Sequence, residues 1–332
     1  MYRTDRYSQI EHTDRGPILV TLSAVAILAI AIACVARGDK KVDSTASSGA
    51  PVVAPKLAVA GEVADSQQTS APQVVTFAQA QSAYDTRHYR EATESFDAYV
   101  QRHPGNPFGL YMLGLSSWKS GDLTRARDAF ERSLAIDSTN VKTLLNLGRV
   151  MLDQRKPNDA IVRVDAALAL DSGSAEVRRM VARVQTALGQ RDSAEASYRV
   201  ALSIDPSDSW SMNNLGVLLI DEGRYEDALP PLARAVELRP GAPAFANNLG
   251  VALERTGHPG AAAEAYRGAL AADSTYSKAS RSLTRIEGRI DDTPIDVGTL
   301  AASFNEQLES ARQTRLMAKG VVKPDSVKPP QR

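Results

Sequence analysis

The chain has 332 residues, 43% of them hydrophobic and 5% aromatic, and 39 basic side chains balance 39 acidic ones. This formal neutrality argues against nucleic acid as a ligand, because a phosphate backbone is bound by a basic surface. The single cysteine excludes an internal disulfide, so the folded part must be stabilised by packing.

The first element in chain order is an apolar stretch near the N-terminus. Residues 18–36 carry no charge and lie between Arg15 and Arg37. Such a stretch is long enough to span a bilayer as a helix. We therefore predict an N-terminal tail over 1–16 and a transmembrane signal anchor over 17–37, which would make the chain a single-pass membrane protein.

Two alternatives remain open for this stretch. The residues from Ala31 to Cys34 are similar to the signal of bacterial lipoproteins, in which Cys34 becomes the lipidated first residue of a lipid-anchored protein. Simple cleavage as a secretory signal is the other alternative. In the anchor interpretation, Cys34 is only a small apolar residue of the membrane helix.

A linker is predicted over residues 38–72, where serine, threonine, alanine, valine, glutamine and proline dominate from residue 42 onward. This composition indicates a flexible coil that lets the next domain stand off the membrane. Basic residues on the two sides of the apolar stretch are equal in number, so the positive-inside rule does not fix the orientation. Linkers of this kind are typical of exported bacterial proteins, and the next domain is therefore expected in the periplasm.

The following part of the chain repeats with a constant period. An alanine recurs every 34 residues and defines position 20 of six units that begin at residues 73, 107, 141, 175, 209 and 243. Position 8 is small in every unit, position 24 is bulky, and position 15 is glycine in four units. This period is the length of a helix-turn-helix unit that buries its apolar face only by stacking on its neighbours. The sequence thus predicts an all-α solenoid over 73–290, closed by a capping helix over 277–290.

These positions together resemble the tetratricopeptide repeat (TPR) family, whose pattern has Leu-Gly at positions 7 and 8, alanine at 20, an aromatic residue at 24 and proline at 32. The resemblance is weaker in the first and fourth units, where Gln79 and Arg178 stand at positions that are usually apolar. It implies that the first helices line a concave groove, with positions 2, 5, 6, 9, 12 and 13 facing it. It also implies that this groove binds peptide segments of partner proteins.

Three groups of side chains are predicted to line the groove. Asparagines at positions 5 and 6 would bond the backbone of an extended peptide. Basic side chains of units three and four would bind an acidic segment or a free C-terminus, unless Glu176 and Asp153 pair with them instead. Aromatic side chains near the N-terminal end would anchor an apolar side chain of the ligand. The predicted site comprises Asn146, Asn213, Asn214, Asn247 and Asn248, the cations Lys142, Arg149, Arg179 and Arg183, and the aromatic residues Tyr111 and Trp118.

The C-terminal tail, residues 291–332, contains one further predicted element. Leu300, Phe304, Leu308 and Ala311 recur at helical spacing, which predicts an amphipathic helix at about 297–317. This helix could dock back on the array in the aromatic part of the groove, bind a partner or mediate self-assembly. The sequence alone leaves these three alternatives open.

Catalytic signatures are weak throughout the sequence. The four histidines share no metal-ligand spacing, and no phosphate-binding glycine loop is present. We therefore predict no enzyme activity, no metal, no cofactor and no small-molecule substrate. The predicted function is a membrane-tethered scaffold that binds partner peptides during assembly of cell-envelope complexes. The alternatives are a lipoprotein that assists assembly of an outer-membrane complex and a regulatory subunit of an envelope enzyme.

Overall fold

The computed structural model describes residues 75–289 and 294–321 of the chain. The predicted N-terminal tail, the membrane anchor with Cys34 and the whole linker lie outside these ranges. Within the ranges, the chain forms fourteen α-helices and no strand, which confirms the all-α class. No helix among the described residues is both long and apolar enough to cross a bilayer.

Twelve of these helices follow one another as six pairs. The pairs are α1 (Phe77–Asp85) with α2 (Tyr89–Arg102), α3 (Pro107–Ser120) with α4 (Leu123–Ile136), α5 (Val141–Asp153) with α6 (Pro157–Leu170), α7 (Ala175–Ala187) with α8 (Arg191–Ile204), α9 (Ser209–Asp221) with α10 (Tyr225–Leu238), and α11 (Pro243–Arg255) with α12 (Pro259–Ala272). Two single helices follow, α13 (Ser277–Ile286) and α14 (Val297–Ala318). From α3 onward, each first helix begins at the first residue of a 34-residue unit.

The repeating core is built from three positions in each unit: the small residue at position 8, the alanine at position 20 and the bulky residue at position 24. The position-20 alanine is fully buried in all six units, as is the bulky residue at position 24. In four units position 8 is glycine, and a Cβ there would collide with the position-24 side chain of the same unit, at 2.6 Å for Gly114 against Phe130 and for Gly250 against Tyr266. The two helices of a pair therefore approach closely because the first presents almost no side chain where the second presents a large one.

The turn inside each pair depends on position 15. This residue adopts a left-handed backbone in all six units, with φ between 77° and 91° at the four glycines and 64° and 59° at Arg87 and Arg155. Glycine suits this conformation because it has no Cβ. Four of the first helices are capped at their N-terminus by the side chain at position 34 of the preceding unit. These capping residues are Asn106, Asn140, Ser174 and Asp208.

The stack has an inner and an outer side. Contacts between first helices of neighbouring units, such as α5 with α7 and α9 with α11, are more extensive than those between neighbouring second helices. The first helices are therefore drawn together, and they form the concave side of a curved array. We call this surface, made by the groove-facing positions of α1, α3, α5, α7, α9, α11 and α13, the inner wall.

The C-terminal helix α14 docks on the outer side of the array. It packs across α10 and α8, and its Ala301, Phe304 and Leu308 side chains are buried in one apolar cluster with Ala233 of α10. Its last turn places the Arg315 guanidinium 3.3 Å from the Ser203 hydroxyl of α8. The helix thus docks on the repeats, but on the outer side and not in the aromatic groove, because its apolar side chains pack against Ala233 of α10. It leaves the inner wall uncovered.

Candidate functional site

Three of the predicted asparagines, Asn146, Asn213 and Asn248, take part in hydrogen bonds from one repeat to the next. Asn146 donates to the Tyr111 hydroxyl at 3.1 Å, and Asn248 donates to the Asn213 side-chain carbonyl at 2.9 Å. Both bonds join position 5 of one unit to position 6 of the next, 35 residues away. Asn214 accepts a 3.3 Å bond from its neighbour Asn213. These amides therefore fix the spacing of adjacent first helices. Asn146, Asn213, Asn214 and Asn247 are buried, and only Asn248 of the five predicted asparagines is partly exposed.

Two of the predicted basic side chains, Arg149 and Arg179, pair with acidic side chains of the array. Arg149 bonds Asn146 at 2.7 Å and Glu176 of the next unit at 2.7 Å. Arg179 bonds Asp208, the capping residue of α9, at 2.5 Å. Pairing with acidic side chains of the array, the alternative that the sequence left open, is thus observed for Arg149 with Glu176. Asp153 accepts a 2.7 Å bond from the Trp118 indole.

The remaining two basic residues differ in exposure. Arg183 is buried beside the sulfur of Met180, with its Nη1 atom 3.8 Å away, whereas Lys142 is exposed on α5. The four basic side chains therefore do not form one open cluster. Binding of an acidic ligand in the middle of the groove stays a prediction, and it would have to compete with the acidic side chains already bound there.

The N-terminal end of the inner wall is aromatic, as the sequence predicts. The Phe108 ring stacks between Phe77, at 5.5 Å, and Tyr111, at 6.0 Å between centroids. Phe108 is 54% exposed, which is unusual for a large apolar ring. Trp118 lies further along the same wall, with the Lys119 ammonium 5.0 Å from its ring. These rings offer an apolar contact surface at one end of the groove.

A pocket at the C-terminal end of the inner wall was not predicted. It has a volume of about 300 Å³ and lies between α11 and α13, with Asn247 and Asn248 on one side and Lys278, Arg281 and Arg285 on the other. The sequence predicts α13 only as a cap. Counting the period once more would have placed the three cations at positions 2, 5 and 9 of a seventh first helix, where they face the groove.

One acidic side chain binds the pocket residue Arg285 and holds α13 in place. Glu254 of α11 accepts bonds from the Arg285 guanidinium at 2.7 Å and the Tyr266 hydroxyl at 3.0 Å. Burial raises the pKa of Glu254, but the hydrogen bonds from Arg285 and Tyr266 outweigh burial and leave the pKa below its ordinary value. Burial and the neighbouring Glu254 charge raise the pKa of Tyr266. The carboxylate is therefore ionised at neutral pH and fixes Arg285.

Among the described residues, no group of three or more histidine, cysteine, aspartate or glutamate side chains is arranged to hold a metal ion. What the inner wall offers is a curved surface with aromatic rings at one end, amides and paired charges in the middle, and a basic pocket at the other end. An extended groove of this kind on stacked helix pairs defines an α-solenoid scaffold for protein–protein interaction.

Comparison with known proteins identifies the family. Two family models, both described as tetratricopeptide repeat, match residues 77–141, 151–212 and 213–277, which is more than half of the chain. The chain belongs to the tetratricopeptide repeat family.

Its similarity to characterised relatives is partial. It is 28% identical over 117 residues to the BBSome complex member BBS4 of Xenopus tropicalis, covering 35% of this chain and 23% of that protein. It is 33% identical over 76 residues to an FK506-binding protein-like protein of Mus musculus, covering 23% and 22%. The matched part thus spans less than a quarter of either relative.

Solved structures share the fold at low sequence identity. A tetratricopeptide repeat protein from Parabacteroides merdae ATCC 43184 is 15% identical with a TM-score of 0.56, covering 63% of this chain and 82% of that one. The APC/C heterotetramer Cut9–Hcn1 is 16% identical with a TM-score of 0.55, covering 75% and 48%. These similarities concern the fold of the array only.

Proposed function

We propose that this chain is a non-enzymatic, membrane-tethered scaffold that binds extended peptide segments of partner proteins on its inner wall. The observation that carries the proposal is the continuous uncovered wall between the exposed Phe108 ring and the pocket beside Asn247. Because α14 docks on the opposite side, no described segment of the chain occupies this surface.

The chemistry of the wall favours a peptide over a compact ligand. Aromatic rings contribute apolar contact area, and asparagine side chains both donate to and accept from peptide bonds. The cross-repeat bonds hold the wall rigid before a partner arrives, which lowers the entropy lost on binding. An extended segment that bridges several repeats gains from each of these contacts at once.

The binding proposal is tested by photo-crosslinking in intact cells. A benzoylphenylalanine placed at Tyr111 or Asn248 on the inner wall should capture partner proteins, whereas the same group at Ala166, exposed on the outer helix α6, should not. Equal products from all three positions, or none from the inner wall, would contradict the proposal.

The proposed membrane tether is the uncharged stretch 18–36. The periplasm is the proposed compartment because the linker that follows resembles the linkers of exported bacterial proteins. The expected role is assembly of cell-envelope complexes.

A lipid anchor on Cys34 is the second candidate for the tether, favoured by the sequence from Ala31 to Cys34. The mass of the mature N-terminus distinguishes them, because the anchor retains the whole apolar stretch while the lipoprotein starts at a modified Cys34. A mature chain lacking both features would rule out tethering.

A further inference from the structure

The outer side of the array carries an apolar strip across three neighbouring second helices. Position 22 of these helices is Val162 in α6, Ala196 in α8 and Pro230 in α10, whereas the other three units have glutamate or aspartate there. Helix α14 packs over α10 and α8. The strip therefore extends beyond α14, onto the outer face of α6.

The outer face of α6 is apolar and exposed. Val162 and Leu170 are 61% and 49% exposed, and Ala166 and Ala169 between them are exposed as well. These four side chains recur at helical spacing, so they form one continuous face. Asp165 is also exposed on this face, and it makes no hydrogen bond or ion pair with any described residue. A contiguous apolar face of this kind marks a contact surface.

Helix α14 runs along the strip in the direction of α6. Its Phe304 ring shares an apolar cluster with Ala233 of α10. Further along the helix, the Arg315 guanidinium lies 3.3 Å from the Ser203 hydroxyl of α8. Ser203 occupies position 29, and the residue at the same position one unit earlier is Ala169, on the exposed face of α6. The path from α10 to α8 therefore leads next to α6.

Helix α14 ends one helix short of this face. Gly320 has a left-handed backbone with φ of 69°, and Val321 donates its N–H to the Leu316 carbonyl at 3.0 Å, which closes the helix. Val321 is 68% exposed, and residues 322–332 follow it in the sequence. Packed helices lie about 8–10 Å apart, whereas a segment of this length reaches about 35 Å when extended. The face of α6 is therefore within its reach.

The residues that follow Val321 complement the α6 face in chemistry. They combine apolar side chains with an excess of positive charge, namely Val322, Val327, Lys323, Lys328 and Arg332 against the single acidic Asp325. The cations match the unpaired carboxylate of Asp165 at the middle of the face. Prolines restrict the undocked chain, so less conformational entropy is lost when such a segment docks.

We propose that residues 322–332 continue the path of α14 and dock on the outer face of α6, with their valines against Val162 and Leu170 and a lysine beside Asp165. The docked segment joins two parts of the core. Helix α14 packs with the apolar cluster of the C-terminal units, whereas the buried Val164 of α6 belongs to the cluster of the N-terminal units. The segment thus holds units three to five together from the outer side, independently of any ligand in the groove.

Thiol labelling of the full chain tests the docking. Ala169→Cys places a thiol on the α6 face, and mass spectrometry follows its reaction with a maleimide separately from that of Cys34. The reaction should be about fivefold or more slower in the full chain than in a chain that ends at Val321, because the docked segment covers the thiol. Ala271→Cys, at the same repeat position on α12 and also exposed, is the matched control and should react equally in both chains. Equal rates for Ala169→Cys in the two chains would refute the docking.

Charge variants of the full chain test the contact without truncation. Lys323→Glu combined with Lys328→Glu should speed the labelling of Ala169→Cys as truncation does, and adding Asp165→Lys should restore the slow rate. Fast labelling in this last variant would show that Asp165 does not hold the segment. Slow labelling in both the full and the truncated chain, together with a dimer in sedimentation, would show that a second copy covers α6 instead. None of these outcomes bears on peptide binding by the inner wall.

Discussion

At the scale of single residues, the array depends on the exclusion of side chains from a few positions. Gly216 of α9 faces Leu232 of α10, and any Cβ at position 216 would overlap the buried Leu232 side chain. The sequence predicted this small-and-large pairing because it recurs every 34 residues. The left-handed Arg87 and Arg155 were also foreseeable, since they replace glycine at position 15.

Gly216→Ala should therefore destabilise the protein by about 1–2 kcal/mol, because overpacking of the α9–α10 contact exceeds the gain in helix propensity. Gly268→Ala is the matched control. Gly268 lies within α12 with open space where a Cβ would be, so this change should stabilise the protein by about 1 kcal/mol. Urea unfolding of the two variants measures both effects, and a stabilising Gly216→Ala would refute the packing argument.

At the scale of elements, the two helices after the sixth pair differ from expectation. The sequence treated α13 as a passive cap, but its cations line a pocket and Arg285 ties it to α11 through Glu254. The spacing of the apolar residues in α14 did not determine where this helix docks. A signal was present elsewhere: position 25 is charged in five units, whereas the fifth unit has Ala233, which is buried beneath α14.

The Glu254–Arg285 bond makes the stability of the α13 end depend on pH. Because the pKa of Glu254 is lowered in the folded protein, its contribution is present at neutral pH and is lost as the pH falls through the folded pKa. Glu254→Gln should cost about 1 kcal/mol at neutral pH, and the difference from the unmodified chain should shrink in acid.

Urea unfolding over a series of pH values measures this difference, together with hydrogen exchange of α13 residues. Glu264→Gln, an exposed glutamate of α12, serves as the control and should show little difference at any pH. A constant difference for Glu254→Gln down to acid pH would mean that the carboxylate charge is not responsible.

At the scale of the described array, the apolar core consists of two clusters that meet at α7. Val177, Met180, Val181 and Val184 belong to the N-terminal cluster, whereas Ala182 of the same helix belongs to the C-terminal one. In a linear array each unit is stabilised mainly by its neighbours, so the contact between clusters is where cooperativity is most easily lost.

Met180→Ala should split unfolding into two transitions. Met180 is buried, with its methyl group close to Gly148 of the preceding unit, and its truncation weakens the contact between units three and four. Trp118 reports on the N-terminal cluster and Trp210 on the C-terminal one, so single-tryptophan variants resolve the two halves by fluorescence. Leu113→Ala, inside the N-terminal cluster, should lower stability without separating the halves. Coincident transitions in Met180→Ala would show that the clusters unfold as one.

The sequence by itself determined the repeat, the helix pairs and the small-and-large packing. It could do so because these features recur with one period, and each recurrence repeats the same local packing requirement. The tertiary structure alone decided which wall residues bond one another, which arginines are already paired, and where α14 docks. Those outcomes depend on the reach of individual side chains across neighbouring repeats, and Tyr111, Asn213 and Asn247 occupy the same repeat position with different partners. The period does not encode that difference, whereas the tertiary structure leaves the Asn247 carbonyl buried without a hydrogen-bond partner among the described residues.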